Sequence, residues 1–372
     1  MKHWFRNICL LLLLLGAAAG GVSLWNYAEE LAMPILTPIN PSYRGFSTLP
    51  KKAPGLKLEP FTFKGYDGKE VQAVIAERDG EESSRQLAVL GNLAAEPATR
   101  LSAIDYVLVC VDWDHGIRSA LPLAESLTAA GLKCVLWEPR GKDSCRPYTT
   151  HGLREQQDVP LLLDALTERS GKSDPVVIAV GQGFGAALLL QAAAQEKRIS
   201  GLVSIDAYAS LRHSVKRSLP ESPLTMLTML LMDMKISQTV GVESFDVAPV
   251  ESAASIDRNV PVLVMNFVQD SPVSDMDDAM VIYRRLSCEQ KEIRALRTES
   301  DPADALSRIA VRQEGSDEKA RTVTVEVPLC KDEDAAITDV IHWLDGCVVD
   351  AVLAPRILNM PARIASGPET RR

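Results

Sequence analysis

Between Pro175 and Leu190 the chain reads Pro-Val-Val-Ile-Ala-Val-Gly181-Gln-Gly183-Phe-Gly185-Ala-Ala-Leu-Leu-Leu: an apolar strand, a glycine-dense turn and an apolar helix. Two mechanisms use such a turn. In a nucleophile elbow, G-x-S-x-G, small flanking residues let the strand turn sharply into the helix, so that the central residue projects at the top of the sheet beside helix N-terminal amides. Here the central residue is Gly183. In a dinucleotide fingerprint, Gly181, Gly183 and Ala186 fit G-x-G-x-x-A, with Asp206 placed to meet a ribose hydroxyl. Spacing alone does not choose between them.

The N-terminus differs in kind from the rest. A basic start with Lys2 and Arg6 precedes an uncharged apolar run from Ile8 to Trp25, just enough to span a bilayer core, while Ala17-Ala18-Ala19 offers a cleavage site. Residues 1–25 are therefore expected to be a signal peptide or signal anchor. Lys2 and Arg6 before the run and Glu29 and Glu30 after it orient the remainder outward, making the chain exported and the membrane a partner through this segment. Residues 26–55, with Pro34, Pro38, Pro41, Pro50 and Pro54, read as an extended tether.

From residue 56 to 348 the pattern is that of one α/β domain. Leu58–Phe63 and Val71–Ile75 flank an Asp-Gly turn and predict an opening antiparallel hairpin. Short apolar strands then alternate with helical segments, the pattern of a parallel sheet: Tyr106–Val111, Lys133–Trp137, Val176–Val180, Leu202–Ile205, Val260–Phe267 and Thr322–Val327. Residues 212–252 contain a Met-rich helix and read as a lid-like insertion. Residues 288–320 read as a charged insertion and 349–372 as a tail.

The segments Tyr106-Val-Leu-Val-Cys-Val111 and Leu121 through Glu138-Pro-Arg-Gly141 resemble the strand-helix-strand core of α/β-hydrolases, and Pro147 to Val159 resembles the loop and helix start before the elbow strand in the esterase and peptidase branches. The resemblance covers most of residues 56–346 and implies the α/β-hydrolase fold: a mostly parallel central sheet, an N-terminal antiparallel hairpin and a helical lid-like insertion. It also implies a triad in the order serine, acid, histidine. Gly183 stands at the serine position, and Asp270 matches the acid. The histidine position, after the expected last strand, is held by Cys330 and Lys331. The five histidines are His3, His115, His151, His213 and His342, none of them there.

A chain lacking both nucleophile and base is expected to be a degenerate member that binds a small apolar ligand or a protein partner, its cleft lined by Gln182, Phe184, His115 and Asp112. Two alternatives stay open: an active hydrolase with a relocated site, for which Cys145 and His151 share a loop, and a dinucleotide-binding protein using Gly181, Gly183 and Ala186. The net charge of −9 argues against nucleic acid. The seven cysteines show no metal spacing and read as small buried hydrophobes, so neither metal nor cofactor is implied.

Overall fold

The computed structural model describes residues 2–36, 52–53, 55–79, 100–110, 116–137, 139, 148–241, 246–267, 274–296, 308–313, 321–326, 329–330 and 333–348. The chain opens with helix α1 (Lys2–Leu36). Strands β1 (Lys52–Ala53), β2 (Leu56–Lys64) and β3 (Glu70–Arg78) form the antiparallel opening. Then come β4 (Tyr106–Cys110), α2 (Leu121–Ala129), β5 (Cys134–Trp137), α3 (Asp158–Ser170), β6 (Val177–Gln182), α4 (Phe184–Ala193) and β7 (Ile199–Ile205). Helices α5 (Leu211–Ser218), α6 (Thr225–Val240) and α7 (Pro249–Ala253) intervene before β8 (Val262–Phe267). Helix α8 (Met276–Arg285), β9 (Lys291–Leu296), β10 (Arg308–Gln313), β11 (Arg321–Glu326), β12 (Leu329–Cys330) and α9 (Glu333–Trp343) complete the chain.

The main sheet has the order β1-β2-β3-β5-β4-β6-β7-β8-β9-β12. Every pairing from β5 onward is parallel, and β3 joins β5 antiparallel. The central strands are continuous apolar runs because both faces are covered. Successive residues point to opposite sides, so Leu108 and Val177 enter a core shared with α3, α4 and α8, while Val107, Val109 and Ile178 enter a core shared with α2 and α9. Local signals set the ends of the helices. Gly171 (φ 66°) and Gly241 (φ 68°) terminate α3 and α6 in the left-handed region, and Asp275 and Asp278 close a capping box on α8.

Two expected boundaries are corrected. Thr322–Val327 is not the last parallel strand, because β11 pairs only with β10 in a separate two-stranded antiparallel ribbon. The last long parallel strand is β9, inside the stretch expected to be a charged insertion. Lys291, Glu292 and Arg294 hide it in the sequence, and β9 tolerates them because beyond it the sheet carries only two-residue β12, leaving these side chains half-buried.

The second correction concerns only the start of the tether, since its residues 37–51 and 54 lie outside the described residues. Residues 26–36 are helix with Pro34 inside it; the proline removes one bond from the ladder, and α1 ends two residues later at Leu36. Ala28, Leu31, Ala32, Ile35 and Leu36 recur at three- and four-residue spacing, and this stripe packs with α5 and α6 into a third apolar cluster containing Tyr208, Leu211, Val215, Met232 and Ile236. Lys235 of α6 bonds Glu29 at 2.6 Å and stands 4.3 Å above the Trp25 ring. The side chains of residues 1–18, which carry most of the leader's apolar run, and the tail 349–372 lie outside the described residues. Among the described residues no helix is long and apolar enough to cross a membrane.

Strand β6 and helix α4 meet so closely that a Cβ on Gly181 would lie 2.4 Å from the Cα of Ala186 and 2.6 Å from its nitrogen. Both atoms are backbone and neither can swing aside. Gly181→Ala is therefore expected to destabilise by about 1–3 kcal/mol, read as a drop in the denaturation midpoint with unchanged slope; an unchanged midpoint contradicts the close approach.

Candidate functional site

The turn between β6 and α4 is built around Gly183, whose φ of 56° and ψ of −121° lie where side chains are strained. Its amide donates to Ile205 O at 2.8 Å and its carbonyl accepts from Ala187 N at 3.1 Å, so the turn is fixed from both sides. Gln182 ends β6 half-buried, and Phe184 opens α4 at 3% exposure. Gln182, Gly183 and Phe184 are the sequence-predicted site residues that the fold brings together. Asp112, His115, Asp270 and Lys331 lie outside the described residues, as does Cys145. Cys330 lies in β12, its side chain outside the described set.

No histidine occurs between the end of β9 and the start of α9, so moving the last long strand from β11 to β9 does not recover a base. His213 and His342 are exposed on α5 and α9.

Among the described residues His151 is the histidine near the turn, and it is committed elsewhere. It has 1% exposure, a φ of 56°, and its ring meets that of Phe184 edge-on at 6.0 Å. Its Nε2 lies 3.0 Å from Ile35 O; since a carbonyl only accepts, Nε2 carries the hydrogen. Thr149 N donates to Leu36 O at 3.0 Å, so the 149–151 loop satisfies the last carbonyls of α1. Buried Glu155 shapes this loop by accepting from Thr150 N (2.7 Å), Thr150 Oγ1 (2.6 Å), Gly152 N (2.9 Å) and Thr149 Oγ1 (3.2 Å). Gln191 of α4 donates to His151 O at 3.0 Å and completes the connection to the elbow helix.

Above the turn lies a cavity of about 350 Å³, with walls from α1, the His151 loop, Phe184, Tyr208, α5 and Met232 of α6. The α1 side of this wall and the part played by His151 escaped the sequence reading. The available signal was the apolar spacing from Ala28 to Leu36, obscured by Pro34. The Met-rich α6 is divided: Met229 and Met232 are buried, whereas Met226 (69% exposed) and Met234 (45%) are not.

On the other flank, Asp206 sits at φ 58° after β7 and accepts from Ser274 Oγ, while Asn266 Nδ2 donates to Ser274 Oγ (3.2 Å) and Asp275 O (2.9 Å). The carboxylate that a dinucleotide fingerprint would set on a ribose is thus 9% exposed and tied to a neighbouring loop. Burial holds the Asp278 carboxyl above its usual range, against the opposing pull of Arg217. Among the described residues no group of three or more His, Cys, Asp or Glu could hold a metal ion. Cys110, Cys134 and Cys288 are buried, and burial pushes the Cys288 thiol up to about 11.

The antiparallel entry, the crossover between β4 and β5, the parallel run to β9 and the sharp turn after β6 define an α/β-hydrolase-fold protein. Its sequence matches no family model and no curated protein. Among solved structures, a 2,6-dihydroxy-pseudo-oxynicotine hydrolase superposes over 79% of this chain and 68% of its own, with TM-score 0.51 and 12% identity. An esterase of Pyrococcus furiosus (TM-score 0.48, 13% identity, 67% of this chain and 86% of that one) and an acylaminoacyl peptidase of Pyrococcus horikoshii (TM-score 0.45, 14% identity, 68% and 38%) are also similar.

Two outcomes follow from the geometry. Gly183→Val places a β-branched residue at positive φ and should cost about 1–3 kcal/mol, more than the unbranched Gly183→Ser; the opposite ranking in thermal melts contradicts an elbow here. Burial pushes the His151 imidazole down to about 3, outweighing its bond to Ile35. The unfolded chain then binds an extra proton between the ordinary histidine pKa of about 6.5 and that value, so stability from this group is complete above about pH 6.5 and declines as pH falls towards 3. His151→Gln should flatten that decline in melts recorded across the window.

Proposed function

We propose that this chain is a non-hydrolytic α/β-hydrolase-fold protein, exported and held at a membrane by its N-terminal segment, that keeps its cleft for binding an apolar ligand or a protein partner. Gly183 at the elbow carries this reading. A glycine offers no atom to attack an acyl carbon, and the absence of histidine between β9 and α9 leaves no triad base in the expected place. In a triad that acts as a unit, loss of the nucleophile or of the base alone removes most of the rate, and here both are missing from their expected places.

A relocated site built on His151 is disfavoured by its bond to Ile35 and its burial, which occupy it in holding α1. Support for membrane attachment comes from the leader: its apolar run belongs to the same helix, α1, whose far end is docked in the domain. The fold's hydrolytic relatives leave the first alternative chemically conceivable, and it is separable by experiment.

Incubation of the full chain with a fluorophosphonate should label no serine, and Gly183→Ser should add label or esterase turnover only marginally, since no base stands ready to take its proton. Robust labelling of the parent at any serine, or a large gain from Gly183→Ser, overturns the non-hydrolytic reading. In the same cells the protein should fractionate with membranes or outside the cytoplasm; recovery as soluble cytoplasmic protein overturns export.

A further inference from the structure

The cavity above the elbow differs from an ordinary interior void in three respects. Its volume, about 350 Å³, falls at the low end of the range of about 300–1,000 Å³ found for small-molecule sites. Its walls are chiefly apolar: Leu31 and Ile35 from α1, Phe184 after the turn, Leu211 and Val215 from α5, and Met232 from α6. Among the described residues its only charged lining group is Glu30, which is exposed, and Tyr208, Ser214 and Ser218 bring hydroxyl groups.

Among the described residues no lysine or arginine lines the cavity, and His151, the one described side chain there that could become cationic, is held neutral by burial. A charged head group entering among these walls loses hydration and needs a partner in return. An anion meets no cation and meets Glu30, so the arrangement disfavours it. A hydroxyl can donate to the Glu30 carboxylate and exchange bonds with the serines at no cost in charge.

Resting on the reading of this chain as a non-hydrolytic, membrane-held protein, we propose that the cavity between α1, the elbow and α5–α6 binds an uncharged, hydroxyl-bearing single-chain amphiphile, with the chain against Leu31, Ile35, Phe184 and Met232 and the head at Glu30. The bilayer supplies such molecules next to the site, because the helix that forms one wall is continuous with the apolar leader. Glu30 sets the charge preference, and the α1 wall is held by its packing against α5 and α6 and directed by the 149–151 loop.

The test uses the full chain in phosphatidylcholine nanodiscs with two diazirine probes of equal chain length, a 1-alkylglycerol and an alkyl sulfonate, the second charged at every working pH. After irradiation, the peptide carrying Met232 should be labelled several-fold more by the alkylglycerol, and excess unlabelled alkylglycerol should remove that label. Glu30→Lys, at an exposed position, should bring sulfonate labelling up to or above that of the neutral probe. Leu31→Trp should fill the cavity and remove both. Equal labelling of the parent by the two probes, a Met232 label that resists competition, or label confined to the leader overturns the proposal. Should Leu31→Trp fail to fold, the probe ratio and its change in Glu30→Lys still decide. Fluorophosphonate labelling of a serine would instead sink the non-hydrolytic reading while leaving the cavity measurement standing.

Discussion

A Cβ on Gly181 has nowhere to go: 2.4 Å away is the Cα of Ala186, on the first turn of the helix that follows. That absence of a side chain lets β6 and α4 lie in contact and forces the intervening residue to positive φ. The rest of the site is arranged around this turn. Strands β4 and β7 flank β6, their C-terminal ends open on the same edge, and the loops leaving that edge carry His151, Asp206 and Tyr208. Fixing the turn therefore fixes the floor of the cleft without any contribution from Gly183 beyond its conformation.

What closes the cleft is unusual in depending on the first element of the chain. The end of α1 is pinned by Nε2 of His151 and the amide of Thr149, and both donors are positioned by one buried carboxylate, Glu155, that collects four hydrogen bonds. A buried acid satisfied this fully rigidifies its loop, whereas a partly satisfied one would weaken it. Burying Leu36 alone contributes about 1.5–3 kcal/mol, so the helix is held by packing and directed by the loop. The result is a cavity whose wall would be lost if either were removed.

Much of this was legible in the sequence, and the failures have physical causes. The strand-turn-helix at 175–190 and the parallel strands up to Phe267 were marked by apolar continuity and glycines that act locally. Strand β9 was not, because an edge position accepts lysine, glutamate and arginine and so erases the apolar run that identifies an interior strand. Helix α1 beyond Trp25 was obscured by Pro34, a residue that ordinarily ends a helix, and α1 does end two residues after it. Of the site, Gln182, Gly183 and Phe184 were found since they are contiguous. The contact of His151 with Ile35 joins residues 116 positions apart, and neither residue's neighbours hint at it.

The docking of α1 also sets an order of events. Its partners are distant in the chain: Thr149 and His151 first, then α5, and finally Lys235, which is 206 residues from Glu29. As the chain is made, the first helix is complete long before any of its contacts exist, and its stripe of Ala28, Leu31, Ala32, Ile35 and Leu36 stays without a partner until the segment through Val247 has emerged. An isolated apolar stripe is a site for misassociation during that interval. The cleft's last wall is therefore also the last to close.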